Sequence, residues 1–212
     1  MTSPTIMVFV IDDDQSVRKS LKRLLDAARY ETEVFNSASE FLSHSPYPGP
    51  SCIVVDVRMP GLNGIDFQEA LIKNGREEQL IFITAHGDIP MCARAMKAGA
   101  VDFLPKPFKP NQLMESIERA LARSAEQLLR ASESSHARAL LQRLTPREYQ
   151  VMELVATGLL NKQVGGELGM AEKTVKTHRA HMMQKLGITS VAELMVVLQK
   201  AEVTPARPGT KV

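Results

Sequence analysis

Five side chains in the first half of the chain have the chemistry to take up a phosphoryl group: Asp12, Asp13, Asp56, Thr84 and Lys106. Asp12 and Asp13 close the apolar run Ile6 to Ile11, Asp56 closes Cys52 to Val55, Thr84 closes Leu80 to Ile83, and Lys106 follows Val101 to Leu104. An ionised carboxylate can attack phosphorus, and a hydroxyl and an ammonium can stabilise the oxygens that then carry the charge. Three carboxylates in one place repel one another unless a cation neutralises them, and hard oxygen donors with room for water favour Mg²⁺ (or Mn²⁺). Three carboxylates, one divalent ion and one ammonium sum to zero formal charge. Ala85 is small enough to let a bulky donor approach. Taken singly, each of Asp12 to Asp14 reads more readily as a solvated turn or a helix N-cap than as a site residue, and Asp14 is read as just that.

The elements that must gather these residues follow from pattern. The runs Ile6 to Ile11, Thr32 to Phe35, Cys52 to Val55, Leu80 to Ile83 and Val101 to Leu104 lack alternation, as strands buried on both faces do. Helical patterns lie between them: Val17, Leu21, Leu24, Leu25 and Ala28 share one face, and Ser37 with Glu40 reads as a capping box. A third helix follows Gly64, a fourth runs from about Ile89 to Gly99, and a fifth starts near Pro110 with Leu113, Ile117 and Leu121 inward. Five strand and helix alternations predict an α/β domain with a doubly wound parallel sheet. In the order 2-1-3-4-5 the first and third strands adjoin at the switch point, so the three aspartates converge there. No glycine-rich turn follows the first strand, which excludes a Rossmann nucleotide site.

Composition bounds the remainder. The 212 residues suffice for two small domains, and 44% hydrophobic content is ordinary for globular protein. Residues 1 to 124 hold 14 Lys/Arg against 16 Asp/Glu, leaving 12 against 8 for the rest, so the back half suits an anionic partner. Cys52 and Cys92 match neither a disulfide framework nor a metal spacing and read as reduced core residues. No run approaches the roughly 18 apolar residues of a membrane span, and a cytoplasmic protein is expected.

Residues 124 to 143 are read as a helical linker that can extend the fifth helix, weakest at Ser132-Glu133-Ser134-Ser135, with a heptad too patchy for a coiled coil. An all-α four-helix domain follows over residues 144 to 204. Thr145, Pro146 and Glu148 open its first helix with a cap, a first-turn proline and a capping-box glutamate. Gly158 ends that helix, Asn161 to Leu168 is the second, Ala171 to Leu186 the third, and Ser190 with Glu193 opens the fourth. Residues 205 to 212 read as a disordered tail. At 100° per residue the third helix puts Val175, His178, Met182 and Leu186 on one side and Lys173, Lys176, Thr177, Ala180 and Gln184 on the other. A helix in the major groove needs this division, and so does a helix packed in any bundle.

Two resemblances sharpen these readings. Asp12-Asp13, the segment Asp56-Val57-Arg58-Met59-Pro60-Gly61 and the run FITAHGDIPMCARAMKAGAVDFLPKPF resemble the receiver domain of two-component response regulators, taken here as residues 1 to 123. The resemblance implies that Asp56 is the phosphoacceptor and that Asp13, Asp56 and the Arg58 carbonyl bind Mg²⁺, with Asp12 acting through water. It further implies that Thr84, Ala85, Phe103 and Lys106 form the phosphoryl-binding and switch group, with a cis peptide between Lys106 and Pro107. Arg58 and His86, at the mouth, are expected to tune hydrolysis. The run LTPREYQVMELVATGLLNKQVGGELGMAEKTVKTHRAHMMQKLG resembles the output domain of LuxR/FixJ-type regulators, in a FixJ/StyR-like subgroup. By position it implies Lys173, Lys176, Thr177 and Ala180 toward the bases or groove, and Asn161, Lys162 and Arg179 near the backbone. Ala180 departs from the longer polar residue of some relatives, and Gly165-Gly166 from the commoner larger residues; the glycines suggest close approach of the second helix to the third. The fourth helix is expected to pair two copies through Glu193, Leu194, Val197 and Leu198.

The function implied is a dimeric activator that takes its phosphoryl group from a sensor histidine kinase and binds promoter DNA, with RNA polymerase as a further partner. It is no enzyme apart from self-phosphorylation and slow self-dephosphorylation. Phosphorylation either pairs receivers or releases an inhibitory contact, and both routes stay open. A Mg²⁺-dependent aspartyl phosphohydrolase is the rival from another class, but it needs its nucleophile after the first strand and a substrate cap. An adaptor whose second domain binds protein would differ in lacking salt-dependent affinity for duplex DNA.

Overall fold

The computed structural model describes residues 5–85 and 88–205 and separates into two units, one to Leu128 and one from Leu129. The expectation for His86, and the expected tail beyond Pro205, lie outside the described residues.

The first unit alternates β1 (Met7–Ile11), α1 (Gln15–Ala27), β2 (Glu31–Phe35), α2 (Ala38–Leu42), β3 (Ser51–Asp56), α3 (Gly64–Lys73), β4 (Gln79–Thr84), α4 (Ile89–Lys97) and β5 (Asp102–Pro105) before α5 (Pro110–Leu141). The sheet is parallel throughout, in the order β2-β1-β3-β4-β5. Alternate residues of each central strand enter opposite cores. Phe9, Ile11, Ile53, Val55 and Phe82 meet Phe41, Phe67, Leu71 and Ala95 of α2, α3 and α4 on one side. Val8, Val10, Cys52, Val54, Ile81 and Ile83 meet Leu21, Leu25, Leu113 and Ile117 of α1 and α5 on the other. That is why the central runs show no polar alternation: neither face meets water.

β2 departs from the expectation of a strand buried on both faces. It lies at the sheet edge with Glu31 and Glu33 exposed, and such charges discourage edge pairing with another chain. The Ser37 cap forms, but Glu40 accepts from the backbone N–H of Asn36, one residue earlier than a capping box requires. Gly64 starts α3 because a Cβ there would lie 2.6 Å from the Asp56 carbonyl oxygen. Its absence lets the helix end press against the strand that carries the acidic residue.

In the second unit α6 (Pro146–Ala156), α7 (Asn161–Leu168), α8 (Glu172–Leu186) and α9 (Val191–Ala201) surround Val151, Val155, Val164, Val175, Met182, Leu186, Leu194 and Leu198. Ala137 and Leu141 of α5 join this core. The complete capping box of Thr145 and Glu148 starts α6, and Gly187, at φ +69°, ends α8. α5 itself continues through Ser132 to Ser135, where composition is least favourable to a helix, and Glu133 pairs there with Lys200 at 3.0 Å.

Candidate functional site

Parallel strands in this order deliver Asp12, Asp56, Thr84 and Lys106 to the carboxyl edge of the sheet. The Lys106 ammonium donates to Asp12 Oδ2 and Asp56 Oδ1, at 2.8 Å each. Asp12 is 2% exposed, Asp56 6% and Thr84 0%. Each carboxylate is also held by the loop that follows it: the Asp14 N–H donates to Asp12 Oδ1 at 2.9 Å, and the Arg58 N–H to Asp56 Oδ2 at 2.6 Å. The Lys106–Pro107 peptide is cis.

Electrostatics bind the three charges together. Burial pushes the Asp12 carboxyl above its ordinary value, and this outweighs the opposing pull of Lys106 and the Asp14 N–H. Burial alone would lower Lys106, but hydrogen bonds to Asp12 and Asp56, and their charges, hold its ammonium above the ordinary lysine value. The two shifts have different causes: burial raises Asp12 against the pull of Lys106, and the two carboxylates raise Lys106 against its own burial.

The three aspartates do not converge as expected. Asp12 and Asp56 meet on Lys106, whereas Asp13 is exposed and lines a cavity of about 700 Å³ with Arg58, Met59, Asn63, Asp88 and Arg94. Among the described residues no group of three or more His, Cys, Asp or Glu is gathered closely enough to hold a metal ion. The donor set still suits a hard divalent cation by chemistry, because its donors are oxygens and three carboxylates against one ammonium leave two formal negative charges. Ala85 is exposed beside the pocket, and Phe103 is half-buried with its ring 6.2 Å from that of Phe82.

Sequence reasoning missed Arg18, whose guanidinium donates to the Asp12 carbonyl at 2.5 Å from the first turns of α1. It also missed the cavity wall from α3 and α4. Neither carries a local signal, since each depends on how a loop folds back on a neighbouring helix.

In the second unit α8 presents Lys173, Lys176, Thr177, Ala180 and Gln184 to solvent and buries Val175, Met182 and Leu186; His178 is half-buried. Lys176 pairs with Glu172 at 3.0 Å, an exposed helix pair worth roughly 0.3–0.5 kcal/mol and readily exchanged for another anion. Arg179 donates to Asn161 Oδ1 at 3.1 Å, which ties α8 to the start of α7 beside the exposed Lys162. A Cβ at Gly165 would lie 2.6 Å from the Met170 carbonyl oxygen, whereas one at Gly166 would meet nothing. The close approach is thus at the turn into α8, and only one of the two glycines serves it.

The expected pairing surface on α9 needs correction. Leu194 and Leu198 are each 1% exposed and belong to their own core, because residues four apart share the inner stripe of the helix. Val197 is half-buried, the Glu193 carboxylate accepts from the Thr189 N–H at the start of its own helix, and the outward apolar residues are Met195 and Val196.

Comparison with known proteins matches residues 8–118 to the response regulator receiver domain and residues 142–198 to the bacterial regulatory proteins of the luxR family. Nodulation protein W of Bradyrhizobium diazoefficiens is 46% identical over 91% of this chain and 85% of its own length. Transcriptional regulatory protein FixJ of Azorhizobium caulinodans is 38% identical over 97% and 98%. The solved structure of the response regulator StyR has 48% identity and a TM-score of 0.81, covering 92% of this chain and 99% of that one.

Proposed function

The chain belongs to the two-component response regulators, joining a receiver domain to a LuxR-type DNA-binding domain, and from that premise we propose that Asp56 accepts a phosphoryl group from a sensor histidine kinase and thereby controls binding to promoter DNA. Response regulators are regulators and not enzymes, so the chemistry here is confined to gaining and slowly losing that group. The observation that carries the reading is the Lys106 ammonium at 2.8 Å from both Asp12 and Asp56, beside a cavity open to a donor.

In this reading residues 1–123 receive, 124–143 connect and 144–204 bind DNA. An Asp56 oxygen attacks phosphorus, the P–N bond of the donor phosphohistidine breaks, and its electron pair leaves with the imidazole. No general base is needed, because the attacking carboxylate oxygen carries no proton to remove. Lys106 shifts from Asp56 to a phosphoryl oxygen, and the Thr84 hydroxyl and Ala85 N–H turn to the others. Thr84 then leaves room for Phe103 to turn inward. Asp13, Asp56 and the Arg58 carbonyl, with Asp12 through water, would hold Mg²⁺, which supplies neutralising charge to the pocket.

On DNA, Lys173, Lys176 and Thr177 face the groove while Asn161, Lys162 and Arg179 engage the backbone. One small module buries too little for specific affinity, so two copies occupy two half-sites, with Met195 and Val196 as the outward residues available for pairing on α9. Activation through RNA polymerase is the expected outcome at the promoter. Among the described residues no helix is long and apolar enough to cross a membrane.

Intact-mass measurement with acetyl phosphate and a divalent cation tests the central step. The wild type gains one phosphoryl group and Asp56→Ala gains none; equal uptake by both would sink the assignment. Genome-wide recovery of bound DNA from the same pair tests whether that group governs binding.

A further inference from the structure

The acceptor and its switch residue stand at the carboxyl ends of β3 and β4, and both strands are tied at their opposite ends to α5. Ser51 opens β3, and its backbone N–H donates to the Ser124 hydroxyl at 3.0 Å in a buried bond. Gln79 opens β4, and its side-chain amide donates to the Gln127 side-chain oxygen at 2.9 Å. Gln127 donates in turn to Glu77, just before β4. Between their ends the strands are enclosed: every residue of β3 is buried, as is β4 from Leu80 to Thr84.

On α5 the inward stripe Leu113, Ile117, Ala120 and Leu121 is apolar, and at Ser124 and Gln127 it changes to hydrogen bonding. Apolar packing is non-directional, so burial alone does not specify one slide or roll of a helix. The Ser124 bond to the backbone of the first residue of β3 does specify them, because it weakens steeply with distance and angle, and the Gln79–Gln127 side-chain bond adds a second point of attachment at β4. α5 is also the element that runs on past Leu128 to Leu141, and none of residues 128–136 is buried.

We propose that Ser124 and Gln127 are positioning residues that register α5 against the two strands bearing Asp56 and Thr84, so that a change of state in the pocket moves α5 and is not absorbed in the apolar layer. The inference rests on the reading that phosphorylation of Asp56 governs DNA binding. It assigns the transmission to two polar contacts at the edge of the sheet opposite the chemistry.

The test uses the full chain, acetyl phosphate as donor, and a duplex selected from random sequence by the wild-type protein. The quantity read is the ratio of DNA affinities with and without phosphorylation, with occupancy followed by intact mass. A wild-type ratio of about 5–150-fold is the range of ordinary allosteric coupling. Ser124→Ala combined with Gln127→Ala is expected to take up the phosphoryl group at the wild-type rate while the ratio falls to within about twofold of one. Ser124→Thr, which keeps the hydroxyl, and Arg123→Ala, on the exposed side of the helix, are expected to retain the wild-type ratio. A wild-type ratio in the double variant overturns the inference. Loss of phosphoryl uptake in that variant also overturns it, because the two residues would then serve the pocket itself. A ratio of one in the fully phosphorylated wild type would instead remove the regulatory reading, and this inference with it.

Discussion

Lys106 and Glu148 are each a single charged residue on which a local arrangement turns, and they illustrate opposite uses of burial. Lys106 sits between two buried carboxylates, and among the described residues its ammonium is the cation that bridges both. Lys106→Met should slow phosphoryl uptake from acetyl phosphate by roughly 10²–10³-fold, the usual effect of removing one preorganised donor from a developing anion. A time course by intact mass checks it, and an unchanged rate would mean that the donor is dispensable. Glu148 is 3% exposed; it accepts the Lys185 ammonium at 2.6 Å and the Thr145 N–H at 2.8 Å. Burial opposes its ionisation, but Lys185 and Thr145 outweigh that and hold its carboxyl down at about 2 against an ordinary 4.5. A depressed folded value stabilises above the unfolded one, so this contribution is complete above about pH 4.5 and is lost as pH falls toward 2. Thermal melts of the full chain should show the second unit weakening across that window, and Glu148→Ala should cost roughly 1.5–3 kcal/mol at neutral pH while flattening the acid dependence.

At the scale of elements, the adjacent glycines of α7 separate propensity from packing. Gly166 is exposed with open space where a Cβ would go, so Gly166→Ala should raise stability by about 0.8–1 kcal/mol through helix propensity alone. A Cβ on Gly165 would collide with the Met170 carbonyl, and overpacking of that kind costs about 1–3 kcal/mol, more than propensity returns. Gly165→Ala should therefore lower the melting temperature while its neighbour raises it. Equal shifts of one sign would show that the turn into α8 can give way. The same logic governs α9, where Leu194 and Leu198 look like a pairing stripe in isolation and prove to be core once α6 is packed against them.

Across the whole molecule, the luxR-family match assigns DNA binding to the second unit, and its mildly basic balance beside a mildly acidic first part is in keeping with that. Backbone contacts release counterions, so the logarithm of affinity should fall linearly with the logarithm of salt concentration. Lys162→Ala should reduce that slope by about 1 and weaken all duplexes alike. Fluorescence anisotropy across a salt series measures it. No salt dependence at all would favour a protein partner for this unit.

Much of this was legible in one dimension. The central strands show as unbroken apolar runs because both their faces are covered, the helix starts show as Thr145-Pro146 and Asp14, and the pocket shows as polar residues at the ends of those runs. Order along the chain, together with the handedness of parallel crossovers, then dictates that such ends share one edge. Tertiary structure alone decided that Lys106 takes Asp12 and Asp56 and leaves Asp13 at the rim. It alone decided that Glu148 serves Lys185 as well as its own helix, and that Ser124 and Gln127 reach the far ends of β3 and β4. Periodicity states which side of an element is covered, but a hydrogen bond depends on a few tenths of an ångström between elements distant in sequence. Only the packed chain sets that distance.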